Sequence, residues 1–321
     1  MGMVRAIAVQ AKWSASDYSS YESFRKKTRS LMSLAAEHMS TGDVNLVVLP
    51  EHYGTPLILA ASGVHLSGSK DFESAVKSAI SQKLLGLLWR RVTSGVSFVR
   101  GLFLDCAGDM ALEYFGLMTE MARAYKSYLV PGSIMLPDAA SEKTLAPLGS
   151  DVYNTALVIS PEGRVMGKQR KVHLIDLECQ TGLDATPGKL EWIRSTDTEA
   201  GKLGVAICLD AYKDDVVGKL VDQGARIVLQ PSANPENWED ALDHGWEKGS
   251  LGMVQRYNDL LYGINPMMVG EMFGLTFEGM SSITCKADKT ADGSGYLARA
   301  KSTDGEEVVW ADIDATREGS S

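Results

Sequence analysis

Three side chains in this 321-residue sequence combine the reactivities needed to attack a carbonyl carbon: the thiol of Cys208, the carboxylate of Glu51 and the ammonium of Lys171. Cys208 closes the apolar run Leu203-Gly204-Val205-Ala206-Ile207, and Leu209-Asp210-Ala211 lead on toward a helix. A sulfur at the carboxyl end of a strand faces the unpaired N–H groups of the next turn, which together with a helix dipole favour the attacking thiolate. The same donors can hold an oxyanion, the backbone N–H of Leu209 first among them. Glu51 ends the run Val44-Asn45-Leu46-Val47-Val48-Leu49-Pro50, and a carboxylate at that edge suits a general base for a thiol. Lys171 stands in Gly167-Lys168-Gln169-Arg170-Lys171-Val172-His173-Leu174; turned inward, its ammonium would neutralise Glu51 and stabilise a tetrahedral oxyanion. Glu178, a short way downstream, is placed to orient that lysine or the substrate. Taken singly, each has a plainer explanation: a buried structural cysteine, a capping glutamate, a solvated lysine on a strand edge. Their shared position is what counts, because all three fall at or near the ends of predicted strands, where ligands of open α/β sheets bind.

The elements that must hold these groups follow from hydrophobic periodicity. Residues 4–11 read as a strand and 20–39 as a helix with Tyr21, Phe24, Leu31, Leu34 and Ala35 on one stripe. Residues 44–50 read as a buried strand, 108–126 as a helix and 128–135 as a strand. Residues 153–160 and 164–174 flank Pro161-Glu162-Gly163, a hairpin signal, and a second hairpin joins 190–195 to 202–208 across Glu199-Ala200-Gly201. A helix near 213–223, a strand at 225–230, a helix near 244–261 and a strand at 262–269 follow. The tail, 277–314, reads as strands separated by Asp/Gly turns. Helices and strands alternate with no linker, internal repeat or low-complexity break, which predicts one domain over 1–321, an α/β sandwich with mixed sheets. Residues 80–104 stand apart, interleaving apolar clusters with Lys83, Arg90, Arg91 and Arg100. A core helix and strand with solvated basic positions is the plain reading, a lid over a pocket or a subunit interface the sharper ones, and the core or interface reading stands ahead of a membrane-surface helix because the whole protein is acidic.

The motifs in order resemble the nitrilase superfamily of carbon–nitrogen hydrolases. They are Leu49-Pro50-Glu51; Tyr153-Asn154-Thr155-Ala156 with Gly163; Arg170-Lys171-Val172-His173-Leu174; and Val205-Ala206-Ile207-Cys208-Leu209-Asp210. Gln230-Pro231-Ser232-Ala233-Asn234 and Phe277-Glu278-Gly279-Met280-Ser281-Ser282-Ile283 are similar to later pieces of the family. The resemblance implies a four-layer αββα sandwich, a Glu51–Lys171–Cys208 triad with Glu178 as auxiliary glutamate, and sandwiches pairing as a homodimer or larger assembly. It also draws Asn234 into the substrate site, with Tyr53 and Tyr212 as aromatic residues able to line a pocket. Many true nitrilases carry Trp-Glu after the cysteine. Leu209-Asp210 is more like the amidase-type branches, so amides or carbamoyl compounds come ahead of nitriles as expected substrates. Acyl transfer by the same triad, and a catalytically silent scaffold, are the competing expectations.

Composition narrows the field further. A formal charge of −9 argues against nucleic acid as partner, since phosphate binding needs a basic face. No run approaches the ~18 apolar residues of a spanning helix, and Met1-Gly2-Met3-Val4-Arg5-Ala6-Ile7 enters a predicted strand without a small-residue cleavage site. Four widely spaced cysteines suggest neither a disulfide framework nor a zinc ribbon, so a reducing cytoplasm is expected. There is no H-E-x-x-H or Cys/His cluster to hold a metal, and the scheme needs no cofactor. A cysteine–histidine hydrolase would require one of His38, His52, His65, His173 or His244 beside Cys208; His52 and His173 adjoin the motifs and are expected to pack around them. Gly182–Lys189 fails as a phosphate loop in both spacing and context.

Overall fold

The computed structural model describes residues 3–63, 95–139, 147–272 and 274–314. Its first strand, β1 (Val4–Trp13), shows how one sequence pattern builds two cores. Side chains alternate across a strand. Val4, Ala6 and Ala8 therefore point into one buried cluster, and Ile7, Val9 and Ala11 into another. On the second face lie α1 (Tyr21–Ala36), the short α2 (Leu57–Ser62) and a long helix, α3 (Phe98–Tyr125). They bury Phe24, Leu31, Leu57, Phe103, Met110 and Met118 against the strand. On the first face lies another sheet, carrying Leu203, Val205, Ile227, Leu229, Ile264 and Ile283. The far side of that sheet is covered by α4 (Asp214–Asp222) and α6 (Ser250–Arg256), which contribute Val216, Val217, Leu220, Val254 and Met253 to the buried layer. The layers run helix, sheet, sheet, helix. The protein is an αββα sandwich, as the family resemblance implies.

The larger sheet has ten strands. Its path runs β10 (Ser232–Ala233), β12 (Met267–Met272), β1, β2 (Val44–Val48), β3 (Tyr128–Val130), β5 (Pro147–Ile159) and β4 (Ser133–Ala139). The strands β6 (Val165–Arg170), β13 (Leu275–Phe277) and β16 (Glu307–Ile313) pair with β5, β12 and β1. The six-stranded sheet runs β15 (Tyr296–Arg299), β14 (Ser282–Cys285), β11 (Tyr262–Asn265), β9 (Ile227–Leu229), β8 (Gly201–Val205) and β7 (Thr196–Thr198). Both mix parallel and antiparallel pairs.

Several expected elements are divided by residues that break the backbone ladder. The strand expected at 128–135 is two, β3 and β4, interrupted at Pro131-Gly132. The strand expected at 262–269 is also two, and its halves lie in different sheets, β11 in the smaller and β12 in the larger. Pro266 stands at the switch, where a residue without an N–H cannot continue a ladder. Pro231 does the same between β9 and β10. The helix expected at 244–261 is only a 3-10 turn at Trp246–Lys248 and α6, separated at Gly249, and a helix not expected, α5 (Trp238–Asp243), precedes it. The 190–195 arm of the second hairpin is a 3-10 turn at Leu190–Trp192, with pairing confined to β7 and β8. The helix expected at 108–126 starts ten residues earlier, where Ser97 caps it by accepting the Arg100 N–H at 3.1 Å. Residues 98–104 of the segment set apart above are thus the first turns of α3, with Leu102, Phe103 and Leu104 buried; residues 80–94 lie outside the described ones. Among the described residues no helix is long and apolar enough to cross a membrane.

Candidate active site

Each reactive group sits just beyond a strand. Glu51 follows β2 in a run of turns over 51–56, Lys171 follows β6, and Cys208 follows β8. Glu178 ends a 3-10 turn at Asp176–Glu178, seven residues after Lys171. The two sheet-switching prolines bring these ends together. The Cys208 N–H donates to the Pro231 carbonyl at 2.9 Å, and the Ala233 N–H, just across the switch, donates to Glu51 Oε2 at 3.1 Å. Gly132 permits the approach on the other side. Its φ is +78°, and a Cβ there would lie 1.9 Å from the Pro50 carbonyl oxygen.

The side chains of Glu51, Lys171 and Glu178 are fully buried, so their charges must be satisfied by one another. Lys171 Nζ donates to Glu51 Oε1 at 2.7 Å and to Glu178 Oε2 at 2.6 Å. Asn154, on β5, gives its two amide hydrogens to Glu51 Oε1 at 2.9 Å and Glu178 Oε1 at 2.7 Å. Burial by itself would lower the Lys171 pKa, but the two carboxylates outweigh it and hold the ammonium charged. Burial would raise Glu178; Lys171 and the hydrogen bond from His52 reverse that and keep it ionised. Glu51, His52 and Glu178 bring three ligand-type atoms within 4.8 Å of one another, but the positive charge such a cluster demands is already supplied by the Lys171 ammonium.

The two carboxylates differ in unused capacity. Glu178 is nearly filled: Oε1 accepts from Asn154 with His52 Nε2 3.3 Å away, and Oε2 accepts from Lys171 and from the Ile175 N–H at 3.1 Å. Glu51 accepts two bonds on Oε1 and one on Oε2, which leaves a lone pair. Cys208, a buried residue, sets its sulfur beside it. Cys208 holds φ +47°, a left-handed conformation that costs a non-glycine residue on the order of 1 kcal/mol or more and projects the side chain out of a tight turn.

Two expectations about this turn are corrected. A 3-10 turn, Cys208–Tyr212, follows the strand and α4 begins only at Asp214, so the cysteine opens a 3-10 turn rather than an α-helix. The thiol is also not poised as thiolate. Burial pushes its pKa up, as do the charge of Glu51 and hydrogen bonding to it, while Lys171 pulls it down less strongly. The acceptor beside this thiol is the remaining lone pair of Glu51.

The remaining expected residues divide. Leu209, Val172 and Cys179, each the chain neighbour of a site residue, line a cleft of about 750 Å³ with His173, Asp184 and Lys213. Tyr212 lies in the Cys208 turn with its hydroxyl donated to the Trp246 carbonyl at 2.9 Å. Tyr53 lies in the helix-side core rather than on the described cleft: its ring packs on Phe24 and its hydroxyl meets Thr28 Oγ1 at 2.9 Å. Asn234 gives its amide N–H groups to the carbonyls of Glu236 at 3.3 Å and Glu278 at 3.5 Å, which holds the loop. His173 pairs with Asp215 at 3.0 Å on the cleft side, whereas His52 faces the cage.

Sequence reasoning assigns no chemical role to Asn154 or Asp210, and the structure gives both one. Asn154 is a fully buried polar residue inside an apolar strand, a signal in itself, because such a group must find partners. Asp210, also fully buried, accepts the N–H groups of Val172 at 3.0 Å and His173 at 2.8 Å, tying the cysteine turn to the lysine segment. Burial raises its pKa to about 6 against the opposing pull of those two N–H bonds.

Residues 5–256 match the family described as carbon-nitrogen hydrolase. The chain is 27% identical over 187 residues to a chloroplastic omega-amidase of Arabidopsis thaliana, covering 53% of this chain and 46% of that protein. It is 30% identical over 122 residues to the omega-amidase NIT3 of Saccharomyces cerevisiae, covering 36% of this chain and 38% of that one. The matched segments thus span less than half the length of these relatives. Among solved structures, a carbon-nitrogen hydrolase from Helicobacter pylori G27 superposes with a TM-score of 0.65 at 22% identity, over 98% of this chain and 89% of that one. An amidase from Nesterenkonia sp. AN1, bound to acrylamide, superposes with a TM-score of 0.62 at 15% identity, over 97% and 91%. At these identities the superpositions carry the fold, while the sequence match over most of the chain carries the kinship: this protein belongs to the carbon-nitrogen hydrolase family.

Proposed function

We propose that this protein hydrolyses a small non-peptide amide or carbamoyl compound through a thioester on Cys208. The observation that carries the proposal is the buried cage in which Lys171 bridges two carboxylates of unequal capacity, with the sulfur beside the one that can still accept a proton.

In the first step Glu51 takes the thiol proton as the sulfur attacks the substrate carbonyl carbon. The C–S bond forms and the carbonyl electrons move to oxygen. Lys171 has given two of its three N–H bonds to carboxylates; the third, with the backbone N–H of Leu209, stabilises the oxyanion. Glu51 returns the proton to the departing nitrogen, the C–N bond breaks, and ammonia or an amine leaves. Water, deprotonated by Glu51, then attacks the thioester. The C–S bond breaks, the acid departs and the sulfur regains its proton. The cleft lined by Val172, Cys179 and Leu209 is the proposed approach for the substrate. The omega-amidase relatives put primary amides first among compounds to try.

Purified wild type, Cys208→Ala and Cys208→Ser should be assayed across amides, carbamoyl compounds and nitriles, with intact-protein mass spectrometry to trap an acyl adduct. Turnover and adduct are expected from the wild type alone. Equal rates in both variants would sink the covalent scheme, and product analysis with added hydroxylamine separates hydrolysis from acyl transfer.

A further inference from the structure

The histidine next to the base is held in a way that assigns every hydrogen on it. His52 occupies the left-handed region with φ +57°, and its backbone N–H donates to Ser133 Oγ at 2.9 Å. This geometry turns the ring, almost fully buried, toward the cage rather than along the turn. Its Nε2 lies 3.3 Å from Glu178 Oε1 and 3.4 Å from Asn154 Nδ2. Both Asn154 amide hydrogens go to the carboxylates at shorter range, so none is left for a histidine lone pair. A lone pair facing a carboxylate oxygen would be repelled; Nε2 therefore carries a hydrogen and donates it to Glu178. On the other side, Nδ1 lies 2.9 Å from Thr55 Oγ1, which itself accepts the Met135 N–H at 3.2 Å. Thr55 Oγ1 keeps a second lone pair, so the assignment rests on its hydroxyl hydrogen, for which Nδ1 is the one acceptor in reach among the described residues. One neutral tautomer satisfies the whole chain, from Met135 through Thr55 and His52 to Glu178.

We propose that His52, locked by Thr55 in its Nε2–H tautomer, is a positioning residue whose bond completes the saturation of Glu178 and so confines proton acceptance to Glu51. Without that bond one Glu178 lone pair opens, the carboxylate can rotate, and the Lys171 ammonium loses its fixed place between its two partners. The kinetic consequence rests on the thioester reading above. The tautomer itself does not, so the two can fail separately.

The test has two arms. In the first, the full chain is labelled with nitrogen-15 histidine and the ring nitrogens are observed by NMR near neutral pH, with His52 assigned by loss of its signal in His52→Gln. The expected signature is a neutral ring protonated at Nε2, shifting toward a tautomer mixture in Thr55→Val. A ring protonated at Nδ1, or a doubly protonated one, overturns the proposal whatever the protein catalyses. In the second arm, His52→Phe keeps a planar ring and removes the donor, while His52→Gln restores an N–H at similar reach. His52→Phe should lower kcat by about 10- to 100-fold, the worth of one hydrogen bond to a charged group, with KM little changed. His52→Gln should recover most of that loss. Equal kcat in wild type and His52→Phe overturns the proposal, as does a His52→Gln no better than His52→Phe. If no amide is turned over, the rate of Cys208 alkylation by iodoacetamide, read by peptide mass spectrometry, replaces kcat with the same expected order. If His52→Phe does not fold, Thr55→Val and the wild-type spectrum still decide.

Discussion

Lys171 and Arg29 each face a carboxylate at ordinary ion-pair distance, 2.7 Å to Glu51 in one case and 3.2 Å to Glu120 in the other. The first pair is fully buried at the ends of the strands, while the second joins α1 to α3 with 48 % and 51 % of the side chains exposed. Water can replace either partner on the helices, and salt screens them. Nothing replaces Lys171 inside the cage, where desolvation has already been suffered and only the other members of the cluster offset it. The same bond on paper is decoration in one region and a condition of folding and chemistry in the other.

Removing each cation makes the contrast measurable. Lys171→Met leaves Glu51 and Glu178 facing one another without a counter-charge. We expect a loss of roughly 3–5 kcal/mol in urea unfolding, together with turnover reduced by at least about 10²- to 10³-fold through loss of the oxyanion donor. A folded, active variant would show that the cage is not electrostatically bound as described. Gly132→Ala attacks the same region through the backbone alone. The added Cβ would meet the Pro50 carbonyl, and alanine at φ +78° is strained, so the expected cost is roughly 2–3 kcal/mol. Thermal unfolding measures it, and an unchanged Tm would mean that the Glu51 turn can yield freely.

Asp210 sharpens the comparison by pH. Its folded pKa, about 6, lies above the ordinary carboxyl value of 3.8, so the folded state binds this proton more tightly than the unfolded state does. The stability it contributes is complete below pH 3.8 and is lost as pH rises through 6. Relative to the non-titrating Asp210→Asn, wild type should lose up to about 3 kcal/mol across that window and then run parallel to the variant. Parallel curves throughout would contradict the assignment. The smallest effect belongs to the helix pair: Arg29→Ala should change stability by less than about 1 kcal/mol and leave kcat and KM at wild-type values.

The α/β character of the fold and the candidate residues that the fold brings together were legible in the chain, because both rest on local pattern; the four-layer order was what the family resemblance implied. Alternation in β1 and the apolar stripes of α1 dictate which faces must be covered, and a Glu, a Lys and a Cys at strand ends announce a site wherever those ends meet. Boundaries were least legible where proline or glycine interrupts an apolar run. The stretch 262–269 reads as one continuous strand, yet Pro266 sends its halves into different sheets. That destination depends on partners far away in sequence, so no local rule could supply it. Tyr53 and Asn234 were assigned from neighbourhood and type, and the direction of a side chain after a turn is set by packing.

The sequence alone determined which candidate groups are present, their order and an α/β sandwich with mixed sheets, since composition and periodicity are properties of the chain itself; the four-layer αββα order was what the family resemblance implied. Tertiary structure decided the division of labour between them. Which carboxylate keeps a free lone pair, whether the thiol rests neutral, and where His52 sends its proton depend on burial and on donors contributed by β5, the 176–178 turn and the two proline switches. These segments are remote from one another in the chain and meet only in the fold.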